Sequence, residues 1–401
     1  MKSRKHKYNF NLVSCFCVCL ISFFGFAQQP TIQDSIAIRN AVKNHNSDKK
    51  EKTNKPILFN GIDGPYIIKD TLYRVTKNNK LIVSLISQKD SIHVKTDNND
   101  FNEFYFSLKS NYTIPETNYE LPEKIVVISD IEGKYDAFSS FLFANKIIDK
   151  DHNWIFGKGH LVLGGDFVDR GKNVTQVLWL IYKLEHQAKL QNGMVHFILG
   201  NHEILNFHGD YRYNRGKYIK AAQEISHIDD KKEALKYLYS QESELGKWLA
   251  TKNVIEKIGD YLFVHAGLSP ETLDYELSLS DINNLIRLRF DTIKKPKNKT
   301  LNFLYSPKGP FWYRGLVKTR FQYDRIKKEE LDAILRYYDV KKIVIGHTPV
   351  NEISTDFSGK IIRTDVHHGY QKFSGDTKGL LIENGIEYII DDKANKTLLK
   401  Q

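Results

Sequence analysis

Five short apolar runs from residue 124 onward each end in side chains that can hold a metal ion or a phosphate. "KIVVIS" runs into Asp130 and Glu132, and "HLVLGG" into Asp166, Asp169 and Arg170. "VHFILG" precedes Asn201, His202 and Glu203, "DYLFV" precedes His265, and "KKIVIG" precedes His347. Carboxylates, a carboxamide and imidazoles together form a donor set for two divalent ions. Such a pair, about 3.5–4 Å apart, promotes phosphoester hydrolysis. It needs one shared carboxylate and terminal ligands on either side. Asp166 is assigned as the bridge, Asp130 and Glu132 as ligands of the first ion, and Asn201, His265 and His347 as ligands of the second. Mixed oxygen and imidazole donors suit Mn, Fe or Zn better than an all-oxygen Mg cage.

These endings must be brought together by the elements that carry them. From Glu123 onward, short strand-like runs alternate with longer stretches of helical period, the pattern of an α/β domain. "YDAFSSFLFANKII" follows the first run, and "NVTQVLWLIYKLEHQAKL" places Val174, Val177, Leu178, Ile181 and Leu184 on one helical face. "IIRTDV" and the hairpin "GLLIENGIEYII" close the domain. In α/β sheets, ligands gather where strands end at their carboxyl side, so five such endings in order predict one site. The mostly helical stretch from about Ile204 to Ala250 is expected to cover one side of it as a lid.

Before Glu123 the pattern differs. "PYIIKDTLYRV", "KLIVSLI", "SIHVKT" and "FNEFYFSLK" read as short strands separated by turn signals, a β-rich module spanning 56–120 with no catalytic motif. Residues 28–55 are polar and read as a linker, and 121–401 as the catalytic domain. The first 27 residues have the form of a secretory signal peptide: a basic start, an apolar run, and Gly25-Phe26-Ala27 before Gln28. All three cysteines lie inside that segment, so the processed chain has no disulfide or thiolate chemistry. Its loss takes Lys2, Arg4, Lys5 and Lys7 with it and lowers the formal charge from +11 to +7. No basic stripe with interleaved aromatics points to nucleic acid, and the processed chain has no membrane-spanning run. The expected location is therefore outside the cytoplasm: periplasmic in a Gram-negative host, otherwise secreted.

"GGDFVDRG", "GNHE", "HAG" and "GHT" together resemble the calcineurin-like metallophosphoesterases of the PPP phosphatase superfamily. "GNHEILNFHGDYRY", "FWYRG" and "TDVHHGYQKFSGDTKGLLIENG" are similar to its bacterial Shewanella-like branch. The resemblance covers roughly Glu123 to Ile390. It implies a four-layer α/β/β/α sandwich, here with the small β-rich N-terminal module added. It also implies the metal ligands assigned above. Arg170 would hold the phosphoryl oxygens, His202 would protonate the leaving group, and Asp169 would orient His202. Arg314 in "FWYRG" is a candidate second phosphate-holding arginine. A hydroxide bridging the metals would attack phosphorus in line.

Two positions depart from the family pattern. Ala266 stands where "HGG" is more usual, although dinucleoside-polyphosphate hydrolases share "HAG". Glu132 stands where the family has histidine. As a ligand, Glu132 adds a third negative charge to the two metals' site, which raises the pKa of the bridging water and favours Mn or Mg over Zn at the first ion. His367-His368 reads as a surface turn. The expected activity is hydrolysis of phosphomonoesters, on phosphorylated small molecules or on phosphoserine and phosphothreonine in proteins. Two divalent ions, Mn first among them with Fe, Zn or Mg as alternatives, would assist. The alternatives are a dinucleoside-polyphosphate or other phosphoanhydride hydrolase, and a phosphate-binding module that has lost turnover.

Overall fold

The structure is a computed structural model, and it describes residues 58–98, 103–288, 290 and 298–401. The expected signal peptide (1–27) and linker (28–55) lie outside these residues. The N-terminal strands are β1 (Asp63–Ile68), β2 (Thr71–Val75), β3 (Leu81–Leu85), β4 (Ser91–Lys95) and β5 (Glu103–Ser107). β1, β2 and β3 form one antiparallel sheet, and β4 with β5 form a separate hairpin. Alternation explains β4 and β5. Ile92, Val94, Phe104 and Phe106 point inward while their neighbours face water.

The remaining strands are β6 (Asn118–Tyr119), β7 (Lys124–Ile128), β8 (His160–Leu163), β9 (Met194–Phe197), β10 (Ile255–Ile258), β11 (Tyr261–Val264), β12 (Lys342–Ile345), β13 (Ser354–Asp356), β14 (Ile361–Arg363), β15 (Lys378–Glu383), β16 (Ile386–Asp391) and β17 (Lys396–Leu398). They form two six-stranded sheets, ordered β13-β14-β12-β11-β10-β6 and β17-β16-β15-β7-β8-β9. In the second, β7, β8 and β9 run parallel and β15 lies antiparallel on β7. Parallel strands covered on both faces read as unbroken apolar runs, which is why β7, β8, β11 and β12 were legible. Their two faces still differ. Ile125, Val127, Val162, Phe263, Val344 and Ile362 share one buried cluster between the sheets. The intervening Val126, Ile128, Leu161 and Leu262 belong to the core under the helices. The result is the expected α/β/β/α sandwich.

The principal helices are α1 (Tyr135–Ala144), α2 (Val174–Leu190), α3 (Asn201–Phe207), α4 (Gly216–Ser226), α5 (Lys231–Leu238), α6 (Glu244–Leu249), α7 (Leu279–Arg287), α8 (Lys299–Leu304) and α9 (Lys328–Tyr337). α1 stops short of the expected Ile148. The Asn145 amide bonds the carbonyls of Phe141 and Asp391, and Lys146 turns left-handed with φ +56°. No described helix is long and apolar enough to cross a membrane.

The N-terminal strands pack on the catalytic part of the chain. Phe106 stacks on Trp179 of α2 with ring centroids 4.3 Å apart, and the Trp179 indole donates to the Pro65 carbonyl at 2.8 Å. On the other side Tyr66, Ile68 and Val75 meet Ala221, Ala222 and Ile225 of α4 and Ala234 and Leu238 of α5. This differs from the expected lid. The apolar faces of α4 and α5 are taken up by the β1–β2 hairpin, and of that stretch beyond α3 only Tyr213 lines the site cleft.

Candidate active site

The strand endings converge. A cleft of about 140 Å³ is lined by Asp130, Glu132, Asp166, Arg170, Asn201, His202, Arg314 and His347, with Lys134, Tyr213, Trp312 and Asp365 beside them. The backbone there is unusual. Asp130, Glu132, Asp166, Asp169, Arg170 and His347 have φ between +50° and +70°. This left-handed region is costly for residues with a side chain and concentrates at functional sites. Glu203 supports two of the loops. One of its oxygens accepts the amides of Asp166 (2.9 Å) and Gly200 (2.8 Å), the other those of Phe167 (2.8 Å) and Val168 (3.4 Å). The packing behind Asp166 leaves no room for side chains. A Cβ on Gly165 would sit 2.5 Å from His265 Nδ1, and φ there is +93°.

Asp166 is the hub. Its Oδ2 lies 3.2 Å from His265 Nε2 and 3.7 Å from His202 Nε2, and its Oδ1 accepts the His202 amide at 2.9 Å. His265 Nε2 is also 3.0 Å from the Asn201 carboxamide oxygen, while its Nδ1 is held by the Gly164 carbonyl at 2.8 Å. Asp166, His265 and His347 bring one donor atom each within 4.8 Å of one another. His347 Nε2 is buried with no hydrogen-bond partner, an orphaned donor atom of the kind a metal ion satisfies. Asp130 lines the same cleft and accepts the His347 amide at 3.2 Å.

Charges follow from this packing. Burial would raise Asp166, but the imidazoles of His265 and His202 hold it well below the carboxylate range. Burial would lower His265, but Asp166 and Asp130 carry it up to about 10. Burial, then the charges of His265 and Arg314, push His347 well below the imidazole range. Burial is also the main reason that Asp130 rises to about 6. An excess of buried carboxylate around a neutral, unpartnered imidazole is an environment that suits divalent cations.

His202 forms a dyad. Its Nδ1 donates to Asp169 at 2.7 Å, and Nε2 faces the cleft. Asp169 is fixed by the amides of Asn206 (3.0 Å) and Asn214 (2.6 Å). Burial opposes charging His202, yet Asp166 and the Asp169 bond raise its pKa. Arg170 lies over the Tyr213 ring at 5.2 Å. Arg314 donates to the His347 carbonyl and to Thr348 Oγ1 (3.1 Å), so it braces the "GHT" loop while lining the cleft.

Glu132 is placed differently from the other assigned ligands. Its carboxylate is ion-paired with Arg170, with Lys134 Nζ 3.7 Å away, and like Asp130 it lies outside the Asp166–His265–His347 cluster. Lys134 and Asp365 were missed from the sequence. Lys134 belongs to the same loop as Glu132. Asp365 follows β14 at the site end of the sheet, a signal that was present in "IIRTDV" but was read only as a strand. Burial and the charges of Asp130 and Asp166 push Asp365 up to about 9. His367 is exposed as the turn reading expects, but His368 is buried and bonds the Ser129 carbonyl at 2.7 Å.

Comparison with known proteins agrees with this geometry. The calcineurin-like phosphoesterase family profile matches residues 123–351. Shewanella-like protein phosphatase 1 of Plasmodium berghei (strain Anka) is 31% identical over 242 residues, covering 60% of this chain and 65% of that relative's own length. Shewanella-like protein phosphatase 2 of Arabidopsis thaliana is 25% identical over 301 residues, 64% of this chain and 74% of the relative. The crystal structure of a cold-active protein-tyrosine phosphatase from a psychrophilic Shewanella species superposes with a TM-score of 0.74 at 34% identity, over 84% of this chain and 99% of that one. With both the motif-bearing strands and the site in agreement, the chain belongs to the calcineurin-like phosphoesterases of the PPP superfamily, in the Shewanella-like phosphatase branch, and is a hydrolase.

Proposed function

We propose that this chain is a phosphoprotein phosphatase that removes phosphate from monoesters with the help of two divalent ions, manganese first among them. The observation that carries this reading is the His202–Asp169 dyad. Its Nε2 stands 3.7 Å from Asp166, in a cleft that His347, with its orphaned Nε2, also lines. Asp166, His265, His347, Asn201 and Asp130 would hold the ions. When bound, such ions polarise the phosphoryl oxygens and lower the pKa of the attacking water. Arg170 would grip two phosphoryl oxygens, a task that suits a planar guanidinium. His202 would deliver its Nε2 proton to the leaving oxygen, and Asp169 would keep the ring in register by holding the Nδ1 proton. Arg314, fixed by the "GHT" loop, would add positive charge on the opposite side.

A protein substrate is favoured by the open hollow of about 620 Å³ that adjoins the cleft. Tyr305, Trp312, Phe321, Tyr323, Arg314 and Arg320 line it, and Trp312 and Arg314 are shared with the cleft. It has room for side chains beside a phosphorylated residue. The leader-like first 27 residues support an exported enzyme. The test is phosphate release from p-nitrophenyl phosphate and from phosphotyrosine and phosphoserine peptides, with Mn added or chelated and His202→Ala as control. Mn-dependent release from peptides, lost in the variant, is the expected result. Release from dinucleoside polyphosphates alone would sink the protein-phosphatase reading.

A further inference from the structure

We propose that Asp365, and not Glu132, supplies the missing ligand of the first metal position, and that Glu132 is a positioning residue for Arg170. The proposal rests on the dinuclear reading above. It begins from two buried carboxylates in one cleft, in opposite circumstances. Glu132 already has its countercharge, since its carboxylate pairs with the Arg170 guanidinium and with Lys134 Nζ at 3.7 Å. Both cations line the same cleft. To ligate an ion, Glu132 would have to give up both.

Asp365 has no such partner. It is 6% exposed and lines the cleft with Asp130 and Asp166. Its backbone carbonyl is bonded by the Val350 amide. Among the described residues, no donor bonds its carboxylate and no cation stands within 4.0 Å of it. A carboxylate taken out of water without a partner is expensive, and proteins resolve this by pairing it or by binding a cation. The orphaned His347 Nε2 is a second unsatisfied donor in the same cleft. A divalent ion held by Asp130, Asp166 and Asp365 would satisfy all three carboxylates, whereas the imidazoles of His265 and His202 reach only Asp166 within 4.0 Å.

Glu132 then has a role of its own. The loop carries Lys134 two residues on, so the added negative charge is balanced locally. The pair holds Arg170, half exposed and over the Tyr213 ring, at the edge of the cleft it lines. Removing the carboxylate should loosen phosphate binding without releasing metal.

The test uses the full chain, stripped with chelator and reloaded with Mn. Bound metal is counted by mass spectrometry and affinity is measured by calorimetry. Asp365→Asn should retain about one equivalent, or hold the second at least about ten-fold more weakly. Glu132→Gln should keep both equivalents at near wild-type affinity while its KM for p-nitrophenyl phosphate rises about ten-fold. The reverse pattern overturns the proposal, as does metal loss in both variants or in neither. If Asp365→Asn fails to fold, Asp365→His carries the question. A nitrogen donor touching the ion should raise the ratio of Zn to Mn affinity about ten-fold, and an unchanged ratio rejects contact. A wild-type chain that binds fewer than two equivalents and releases no phosphate rejects the dinuclear reading itself. Two equivalents in both wild type and Asp365→Asn reject only the assignment of Asp365.

Discussion

His202 owes its direction to three other side chains. Asp169 accepts the Nδ1–H hydrogen bond, and Asn206 and Asn214 hold Asp169 in place. General-acid catalysis is worth about 10²–10⁴-fold, and more for a poor leaving group. His202→Ala is therefore expected to lower kcat for a phosphoserine peptide by about 10²–10³-fold and for p-nitrophenyl phosphate by much less, since nitrophenolate leaves without a proton. Equal losses on the two substrates would show that His202 does not donate the proton. Glu203 acts one step further back by accepting four backbone amides of the two loops. Glu203→Ala strands those amides, at about 1–3 kcal/mol of stability each way it is counted, read as a lower melting temperature of the metal-free protein. At this scale the motif residues were legible because their types are rare together. Lys134 and Asp365 were not, because a lone lysine or aspartate after an apolar run is commonplace.

Helix α2 shows how an element carries pH dependence. Glu185 on this helix meets Lys252 at 2.7 Å, Lys109 at 3.1 Å and the Trp248 indole at 2.7 Å. Burial would raise its pKa, but Lys252 and Lys109 outweigh it and bring it to about 2. A folded pKa below the unfolded value means that the charged form favours folding. This contribution is present above about pH 4.5 and disappears as pH falls toward 2. Glu185→Gln should cost about 2 kcal/mol at pH 7, and its stability should fall less steeply than wild type over that acid range in urea titrations. Parallel curves would remove Glu185 from the account. The helix itself was readable from its apolar spacing. That its polar face holds Lys109 and Lys252 was not, because both are far off in sequence.

On the scale of the molecule, the N-terminal strands and the catalytic sheets share a core. Trp179 of α2 is fully buried against Phe106 of β5 and donates to the carbonyl of Pro65. Trp179→Ala should cost about 3–5 kcal/mol and should shift a single cooperative melt. A separate early transition for the N-terminal strands would show instead that they fold alone. Metal should couple to the whole fold as well. Chelation is expected to lower the melting temperature and Mn to restore it, because an ion that binds only the folded chain stabilises it by mass action.

The family motifs, the strand endings and the α/β alternation were legible in the sequence because each is local. An apolar run of four or five residues, a glycine turn and a polar ending are set within a dozen positions. Pairings across the chain were decided by tertiary structure. Ser129 meets His368, and Asp130 meets the amide of His347, only because β7, β12 and β14 end on one side of two stacked sheets. The helical stretch after α3 could not be read as a wall for the N-terminal sheet, since its apolar faces fit a lid equally well. Glu132 is the sharpest case. Its spacing from Asp130 made it a ligand in the sequence, while its pairing with Arg170 and the nearness of Lys134 came into view only in the fold.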